Sequence, residues 1–313
     1  MSISTFLKLV EIQTKIASVF PFLIGCLFVY YRYDTFQPLN TAIFFVAMLS
    51  FDLTTTAINN YMDFRKASSE SYRENHNVIG QYKIREIVVI ITILSLLTLA
   101  TGLGIWLVFR TDLFVLLVGM VCFTIGIFYT FGPIPLSRMP LGELFSGVSM
   151  GFGIVFLSVY VNAFDQGILH LLWEGRTVLF EADILLLLEI MLVSFPCMFT
   201  IANLMLANNI CDLKEDIANH RFTLPYYIGK KYAVWLFNGL YFLSFLAILV
   251  AVILGLLPPI VIIALLVSYP VYQLVRKFNR KQIKSETFSV AIKNLVLVNG
   301  SVVTMLMISI FIL

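Results

Sequence analysis

The sequence has 313 residues, of which 60% are hydrophobic and 12% are charged, and its formal net charge is +3. With a mean hydropathy of +0.94, the chain is far more apolar than a soluble globular domain, so we predict an integral membrane protein. The small positive charge gives no indication of nucleic-acid binding.

The apolar residues form nine stretches that are each long enough to cross a bilayer as a helix, which takes about 20 residues. We therefore predict an all-α membrane protein in which nine transmembrane helices form a single bundle. The predicted spans are, approximately, residues 12–31, 39–62, 86–109, 113–131, 142–162, 182–210, 233–253, 257–275 and 291–312.

The positive charges predict the orientation of these helices. All Lys and Arg residues except Arg32, Arg110 and Arg176 fall at the N-terminus or in loops on one side of the membrane. Because cytoplasmic loops carry the excess of Lys and Arg, this side is predicted to be cytoplasmic. Residues 1–11 form a short amphipathic segment on the same side, and no signal-peptide cleavage site follows the first apolar stretch. We therefore predict a multi-pass protein of a cell (plasma) membrane with a cytoplasmic N-terminus.

Lys15 lies at the mouth of the first predicted span and has two possible roles. Its long side chain can extend to lipid headgroups at the membrane surface. Alternatively, it faces the inside of the bundle and binds an anion. The sequence leaves both roles open.

The second span ends in a polar sequence, Asn59-Asn60-Tyr61-Met62-Asp63, which we call the first motif. Asp52, Thr56, either Asn59 or Asn60, and Asp63 fall at helical spacing on one stripe. A lipid-facing helix would not carry so many polar groups, so the stripe is predicted to line the bundle interior or a wet cavity that opens to the cytoplasm.

The loop after the first motif, residues 64–83, is the most charged part of the sequence. A solvated loop would account for these charges without further explanation. Because the loop follows a carboxylate and two amides, we interpret it instead as a lid. This lid would bring the cations Lys66 and Arg73, and the carboxylate of Glu70, to a bound group.

A second motif spans residues 208–216, Asn-Asn-Ile-Cys-Asp-Leu-Lys-Glu-Asp, at the end of the sixth predicted span. If the helix continues through it, Asn208, Asn209, Asp212 and Asp216 share one face. Four helix units separate the two motifs, so the repeat is predicted to be parallel rather than inverted. We predict one domain, residues 1–313, that contains this repeat.

Carboxylates and amides at two helix ends, surrounded by Lys and Arg, indicate a site for Mg²⁺ and phosphate. Magnesium prefers oxygen ligands and is usually held by one or two carboxylates together with substrate phosphates. The three histidines are scattered and the four cysteines show no paired spacing, so zinc, haem and disulfides are not indicated. A substrate with a diphosphate head and a lipid-soluble tail, such as a polyprenyl diphosphate, meets both demands.

The fifth span contains three glycines, Gly147, Gly151 and Gly153. Small residues at such spacing allow two membrane helices to approach closely. We therefore predict a tight helix contact at this position.

Taken together, these motifs resemble the UbiA superfamily of intramembrane prenyltransferases, and most closely its 1,4-dihydroxy-2-naphthoate prenyltransferase branch from menaquinone biosynthesis. The resemblance extends from the first span to the seventh. The matching stretches are residues 59–63, Tyr-Thr-Phe-Gly-Pro-Ile-Pro-Leu at 129–136, Leu-Gly-Glu-Leu at 141–144, residues 208–216, and Thr223-Leu224 followed by Gly229.

The resemblance implies an enzyme that transfers a polyprenyl group to 1,4-dihydroxy-2-naphthoate, with loss of diphosphate and CO₂, to give demethylmenaquinone. It also implies a bacterial protein and Mg²⁺ as the cofactor. The implied metal ligands are Asp63, Asp212, Asp216 and Glu70. The implied catalytic cations are Lys15 and Arg138.

The resemblance implies roles for two further groups of residues. The diphosphate would be bound by Asn59, Asn60, Lys66, Arg73, Asn208 and Asn209. The rings of Phe128 and Tyr129 would stabilise the allylic cation that forms when the diphosphate leaves.

The first motif departs from the family pattern, which resembles Asn-Asp-x-x-Asp with a further acid downstream. Asn60 replaces the first acid, and Ala67 occupies one place where the further acid is expected. Glu70 can replace it only if the loop folds back.

Two other functions remain open from the sequence. A related enzyme could use another acceptor, such as 4-hydroxybenzoate or another aromatic or lipid molecule. A cation-coupled transporter would instead use the intramembrane acids Asp52 and Glu189 as coupling sites. The polar clusters at one membrane face argue against transport, because transporter sites lie near the midplane.

Overall fold

The computed structural model of the chain describes residues 1–66, 77–130 and 136–312. As predicted, the structure is mostly helical. The α-helices are Ile3–Leu9, Ile16–Tyr33, Pro38–Lys66, Val78–Gln81, Glu86–Arg110, Leu113–Thr130, Gly142–Ser146, Ile154–Ala163, Ile184–Cys211, Leu213–Ala218, Leu224–Ile228, Lys230–Ile253, Ser268–Arg280, Lys284–Thr287 and Ser289–Ile312. Segments of 3₁₀-helix cover Ile12–Lys15, Leu136–Arg138 and Pro259–Val267, and Gly147–Gly153 is a π-helix.

Eight helical segments of the described ranges are long and apolar enough to cross a membrane, so this is a multi-pass membrane protein. They agree with eight of the nine predicted spans. The other predicted span corresponds to a shorter apolar helix, Leu113–Tyr129. The count of nine and the central cavity therefore stay predictions.

The chain divides into two compact units. Unit 1 comprises Met1–Ile16 and Ala42–Pro135, and unit 2 comprises Ala17–Thr41 and Leu136–Leu313. The first motif belongs to unit 1 and the second motif to unit 2.

The N-terminal segment is part of the core of unit 1. Leu9 and Val10 are fully buried and pack with Leu53 and Ala57 of the helix Pro38–Lys66. Ile79, on the short helix between the first motif and the next span, also belongs to this cluster. The amphipathic N-terminus is therefore anchored to the helix that carries the first motif.

In unit 2, the π-helical segment packs closely against the helix Ile184–Cys211. A Cβ atom at Gly151 would lie 2.5 Å from the Cα of Met198, and one at Gly147 would lie 2.8 Å from the Met198 carbonyl oxygen. These distances confirm the predicted contact at two of the three glycines. The prediction is wrong for Gly153, because the nearest atom to its Cβ position is the carbonyl oxygen of Val148 in the same segment, 3.6 Å away.

Residues 17–41 belong to unit 2, and polar contacts connect them to residues more than a hundred positions later in the sequence. The Asn162 side-chain oxygen accepts hydrogen bonds from the Gln37 backbone N–H at 2.7 Å and from the Thr41 hydroxyl at 2.9 Å. Asn40 Nδ2 donates to the Val161 carbonyl at 3.0 Å. The first membrane helix is thus fixed at its end by the end of the segment Gly142–Ala163.

One feature was not predicted. Strands Leu169–Glu174 and Thr177–Ala182 form an antiparallel hairpin, in which Glu174 pairs with Thr177. The connecting Gly175 has a φ of +62°, a conformation that suits glycine in two-residue hairpin turns.

Candidate active site

The first motif lies on the last turns of the helix Pro38–Lys66, as predicted. Asn59 is exposed and Asp63, one helical turn further, is half-buried. Asn60 lies on a different side of the helix and is buried. Asn59 and Asp63 therefore lie one turn apart on a side of the helix that is more exposed than the side of Asn60.

Asn60 connects three segments of unit 1. Its Nδ2 donates to the Leu9 carbonyl at 2.9 Å and to Glu11 Oε1 at 3.2 Å. The backbone carbonyl of Asn60 accepts a hydrogen bond from Asn77 Nδ2 at 2.9 Å. The amide hydrogens that would bind a diphosphate are therefore engaged by the N-terminal segment in this structure.

Lys15 is buried, with 4% of its surface exposed, so it does not extend to the membrane surface. Its Nζ lies 2.7 Å from Asp52 Oδ1 and 2.5 Å from the Thr56 hydroxyl, and it also donates to the Asp52 carbonyl at 3.2 Å. Lys15 thus faces the polar stripe of its own unit. Its contribution to diphosphate binding stays a prediction.

The second motif continues along a helical path through a junction. The helix Ile184–Cys211 ends before Asp212 and the next helix begins at Leu213. Backbone hydrogen bonds from Asp212 N to Asn208 O at 2.9 Å and from Asp216 N to Asp212 O at 2.8 Å cross this junction. The helical path therefore continues, which keeps Asn208, Asp212 and Asp216 one turn apart. That Asn209 shares their face stays a prediction.

Asp212 forms an ion pair that sequence analysis did not predict. Lys284 Nζ donates to Asp212 Oδ2, and the Asp212 side chain is 13% exposed, against 55% for Lys284. Lys284 comes from the last basic loop, whose charges are otherwise typical of an orientation signal. No local sequence pattern indicates this contact, since the two residues are far apart in the chain.

Asp216 is buried with one oxygen unpaired. Its Oδ1 lies 3.4 Å from Arg221 Nε, while Oδ2 accepts no hydrogen bond within the described part of the chain. Burial raises the pKa of the Asp216 carboxyl above its usual value, and the Arg221 guanidinium partly offsets this increase. A divalent cation at Oδ2 would favour the ionised form.

Glu143 is a further buried acid beside the second motif. It is 5% exposed, and its Oε1 accepts a hydrogen bond from Asn209 Nδ2 at 2.8 Å. Glu143 Oε2 and Asn209 Oδ1 are both buried and accept no hydrogen bond from the described residues. Glu143 lies in the Leu-Gly-Glu-Leu stretch that carries the family resemblance, but no local pattern indicates a role for it.

Arg138 and the aromatic candidates lie on other elements. Arg138 ends a 3₁₀ segment, and its carbonyl accepts a hydrogen bond from the Phe222 N–H at 3.2 Å. This bond connects it to the segment that follows the second motif. Phe128 is 42% exposed and Tyr129 is half-buried, both near the end of the helix Leu113–Thr130 in unit 1.

The remaining candidates fall on parts of the chain without a described side chain. Glu70, Arg73 and Ala67 lie outside the described residues, and Lys66 is the last residue of its helix with no described side-chain position. Their predicted roles stay predictions.

The second motif contains oxygen atoms of the kind that magnesium prefers. Among the described residues, no three His, Cys, Asp or Glu side chains form a metal-binding cluster. Magnesium does not require one, because it is commonly held by one or two carboxylates, substrate phosphates and water. The unpaired oxygens of Asp216 and Asn209 provide ligands of the right chemical type.

Both acids of the transport hypothesis are paired within their own units. Asp52 binds Lys15, and Glu189 Oε2 lies 3.3 Å from Arg32 Nε. Each carboxylate therefore has a cationic partner, which gives a structural reason for its presence in a membrane helix.

Comparison with known proteins agrees with the family resemblance. The model of the UbiA prenyltransferase family matches residues 18–297. A relative, the 1,4-dihydroxy-2-naphthoate octaprenyltransferase of Bacillus subtilis (strain 168), is 27% identical over 256 residues, which cover 80% of this chain and 75% of that protein.

Solved structures show a similar fold. The apo structure of a UbiA homologue from Aeropyrum pernix K1 superposes with a TM-score of 0.69 at 16% identity, covering 93% of this chain and 97% of that one. A UbiA homologue from Archaeoglobus fulgidus, bound to GPP and Mg²⁺, gives a TM-score of 0.66 at 10% identity, covering 97% and 98%. Because the family match extends over most of the sequence and the fold agrees, this chain belongs to the UbiA prenyltransferase family.

Proposed function

We propose that this protein transfers a polyprenyl group from polyprenyl diphosphate to 1,4-dihydroxy-2-naphthoate. The allylic C–O bond to the diphosphate breaks, a carbon–carbon bond to the aromatic ring forms, and the carboxyl group leaves as CO₂. The product is the reduced form of demethylmenaquinone, so no oxidant is needed. The observation that carries the choice of acceptor is the alignment of 80% of this chain with a naphthoate octaprenyltransferase.

The carboxylates of the two motifs are proposed to hold the magnesium diphosphate. Asp63 would act from the first motif, and Asp212 and Asp216 from the second, with Glu70 as a further ligand. Bound Mg²⁺ would supply charge neutralisation for the diphosphate. A Mg²⁺-bound homologue structure from Archaeoglobus fulgidus supports this use of a divalent metal.

Cations and aromatic rings are proposed to assist the departure of the diphosphate. Arg138 and Lys15 would compensate the negative charge on the leaving group, together with Lys66 and Arg73. The asparagines Asn59, Asn60, Asn208 and Asn209 would complete the site.

The prenyl tail is proposed to remain in the membrane during the reaction. The faces of Phe128 and Tyr129 would stabilise the allylic cation, which needs protection from water. The site would open to the cytoplasm of a bacterial cell.

The test is prenyl transfer by purified protein in nanodiscs, with Mg²⁺ or EDTA present. We expect Mg²⁺-dependent product from 1,4-dihydroxy-2-naphthoate and none from 4-hydroxybenzoate. Product from 4-hydroxybenzoate alone would retain the reaction type but refute the proposed acceptor. Absence of product from both, with the protein folded, would refute prenyl transfer to these aromatic acceptors.

Alanine variants test the proposed metal ligands. We expect Asp63→Ala and Asp212→Ala each to lower turnover by at least about 100-fold, because metal charge stabilisation contributes several kcal/mol. Asp165→Ala, an exposed acid outside both motifs, is the matched control and should match wild type. Wild-type turnover in either folded motif variant would refute the assignment of that residue.

A further inference from the structure

In both units, the second asparagine of the motif donates its amide to a glutamate. Asn209 Nδ2 lies 2.8 Å from Glu143 Oε1, and Asn60 Nδ2 lies 3.2 Å from Glu11 Oε1. Glu11 immediately precedes the span Ile12–Tyr33, and Glu143 is the second residue of the span Gly142–Ala163. The same pairing of amide and carboxyl therefore occurs twice, each time at the start of a span.

This pairing determines which way an asparagine amide points. A carboxylate only accepts hydrogen bonds, so the amide beside it must present its NH₂ group, and its oxygen must face elsewhere. At Asn209, which is 1% exposed, the oxygen Oδ1 accepts no hydrogen bond from the described residues.

Two more buried oxygens belong to the second motif or to its hydrogen-bond partner. Glu143 Oε2 and Asp216 Oδ2 also lack a donor among the described residues, and both residues are 5% exposed. A buried acceptor left without a partner is destabilising, because it loses its hydrogen bonds to water and gains none in the protein. A cation is the partner that satisfies several oxygen acceptors and also reduces the repulsion between carboxylates.

An orphaned amide oxygen by itself would not single out Asn209. Asn203, on the same helix, also has a buried oxygen without a described donor, and its Nδ2 donates to the Phe237 carbonyl at 3.0 Å. Asn209 differs because it is held by an acid and lies within the motif that contains Asp212 and Asp216. Its position next to carboxylates is what favours a metal ion.

We propose that Glu143 is a positioning residue for the metal: it orients Asn209 so that Oδ1 faces the divalent cation held by the second motif. This inference rests on the proposed function, which assigns Mg²⁺ to that motif. Asn209 then provides an oxygen ligand to the metal instead of a hydrogen-bond donor to phosphate. Residues that orient a metal ligand in this way commonly affect metal affinity by about 10- to 100-fold.

The test reverses the hydrogen bond between the two residues. Asn209→Asp alone puts two carboxylates against each other, and Glu143→Gln alone no longer fixes the amide orientation. In the double variant, the new amide at position 143 donates to the new carboxylate at position 209, whose other oxygen remains available to the metal. The double variant keeps the formal charge and the hydrogen bond of the wild type.

Binding of Mn²⁺ in the presence of inorganic diphosphate, followed by electron paramagnetic resonance, provides a readout that does not depend on turnover. We expect each single variant to bind Mn²⁺ about 10- to 100-fold more weakly than wild type. We expect the double variant to return to within about twofold of wild type, because contacting residues do not act additively and the double variant restores their hydrogen bond. Glu189→Gln removes a carboxylate from the far end of the same helix and should leave Mn²⁺ affinity unchanged.

Three results would overturn the inference. If Asn209 donates to phosphate, the double variant will bind as poorly as Asn209→Asp, because a carboxylate has no hydrogen to donate. If all variants bind Mn²⁺ like wild type, the pair is only structural. If wild-type protein binds no Mn²⁺, the second motif is not a metal site.

If a single variant fails to fold, the double variant alone still tests the inference. Its affinity must then match wild type, and weaker binding would contradict the inference. The measurement uses neither prenyl donor nor aromatic acceptor. Absence of prenyl transfer together with the expected Mn²⁺ pattern would therefore refute the proposed function and leave the role of Glu143 intact.

Discussion

Lys284 is expected to compete with the metal ion for Asp212. Its ammonium group binds Asp212 Oδ2 in the structure, and a metal ion at this oxygen must displace it. An ion pair with one largely exposed partner contributes only about 0.2–1 kcal/mol. Because 1.4 kcal/mol corresponds to a tenfold change in affinity, Lys284→Met should tighten metal binding by about 1.4- to 5-fold.

The assay is a titration with Mn²⁺ in the absence of diphosphate, so that only the metal competes. Lys281→Met is the matched control, since Lys281 lies in the same loop and pairs instead with Glu286 at 2.7 Å. The difference between wild type and Lys284→Met should decrease at high salt, which screens exposed pairs. Unchanged affinity would show that Lys284 does not compete. Weaker binding would show that it holds Asp212 in place for the metal, and either result would refute the reasoning.

Two further predictions concern stability, measured by thermal unfolding in detergent. Gly151→Ala should destabilise the protein by about 1–3 kcal/mol, because its Cβ would lie 2.5 Å from the Met198 Cα, whereas Gly153→Ala has room and should be neutral or slightly stabilising. Equal melting temperatures for the two glycine variants would contradict the close packing. Asp52→Leu should destabilise by about 3–5 kcal/mol, because it removes the carboxylate 2.7 Å from buried Lys15. The double variant with Lys15→Met should recover much of this loss, and a double variant no more stable than Asp52→Leu would argue against the ion pair.

Features that depend on local sequence were predictable. The helix through the first motif follows from apolar residues with a polar stripe at helical spacing. It extends to Lys66, a few residues beyond the predicted end near residue 62. The second motif keeps its face across the junction at Asp212, because the i to i−4 backbone hydrogen bonds continue. Helical periodicity alone determines both results.

Features that depend on contacts between distant residues were not predictable. Glu143 and Asn209 are 66 residues apart, and Lys284 and Asp212 are 72 apart. An acid at the start of a span can be explained by solvation at the membrane surface. A lysine in a basic loop can be explained by its contribution to helix orientation. Only the tertiary fold distinguishes these residues from their neighbours.

The hairpin is an intermediate case, since its signal is present in the sequence. Gly175 stands between two stretches rich in β-branched, aromatic and leucine residues, and a two-residue connection with glycine is typical of a hairpin turn. This signal is weak on its own, because a short connection between two spans is also compatible with an irregular loop.

The anchoring of residues 17–41 in unit 2 has a consequence for how the protein is made. Asn40 must find the carbonyl of Val161, 121 residues later in the chain. At a synthesis rate of about 5–20 residues per second, the first membrane helix waits roughly 6–24 s for this partner. During that interval its buried face, including Gly25, which later packs against Ser158, is open to lipid or to the insertion machinery. A gene divided after residue 135 would therefore separate the first helix from the unit that it completes, so the two halves of this chain are not independent folding modules.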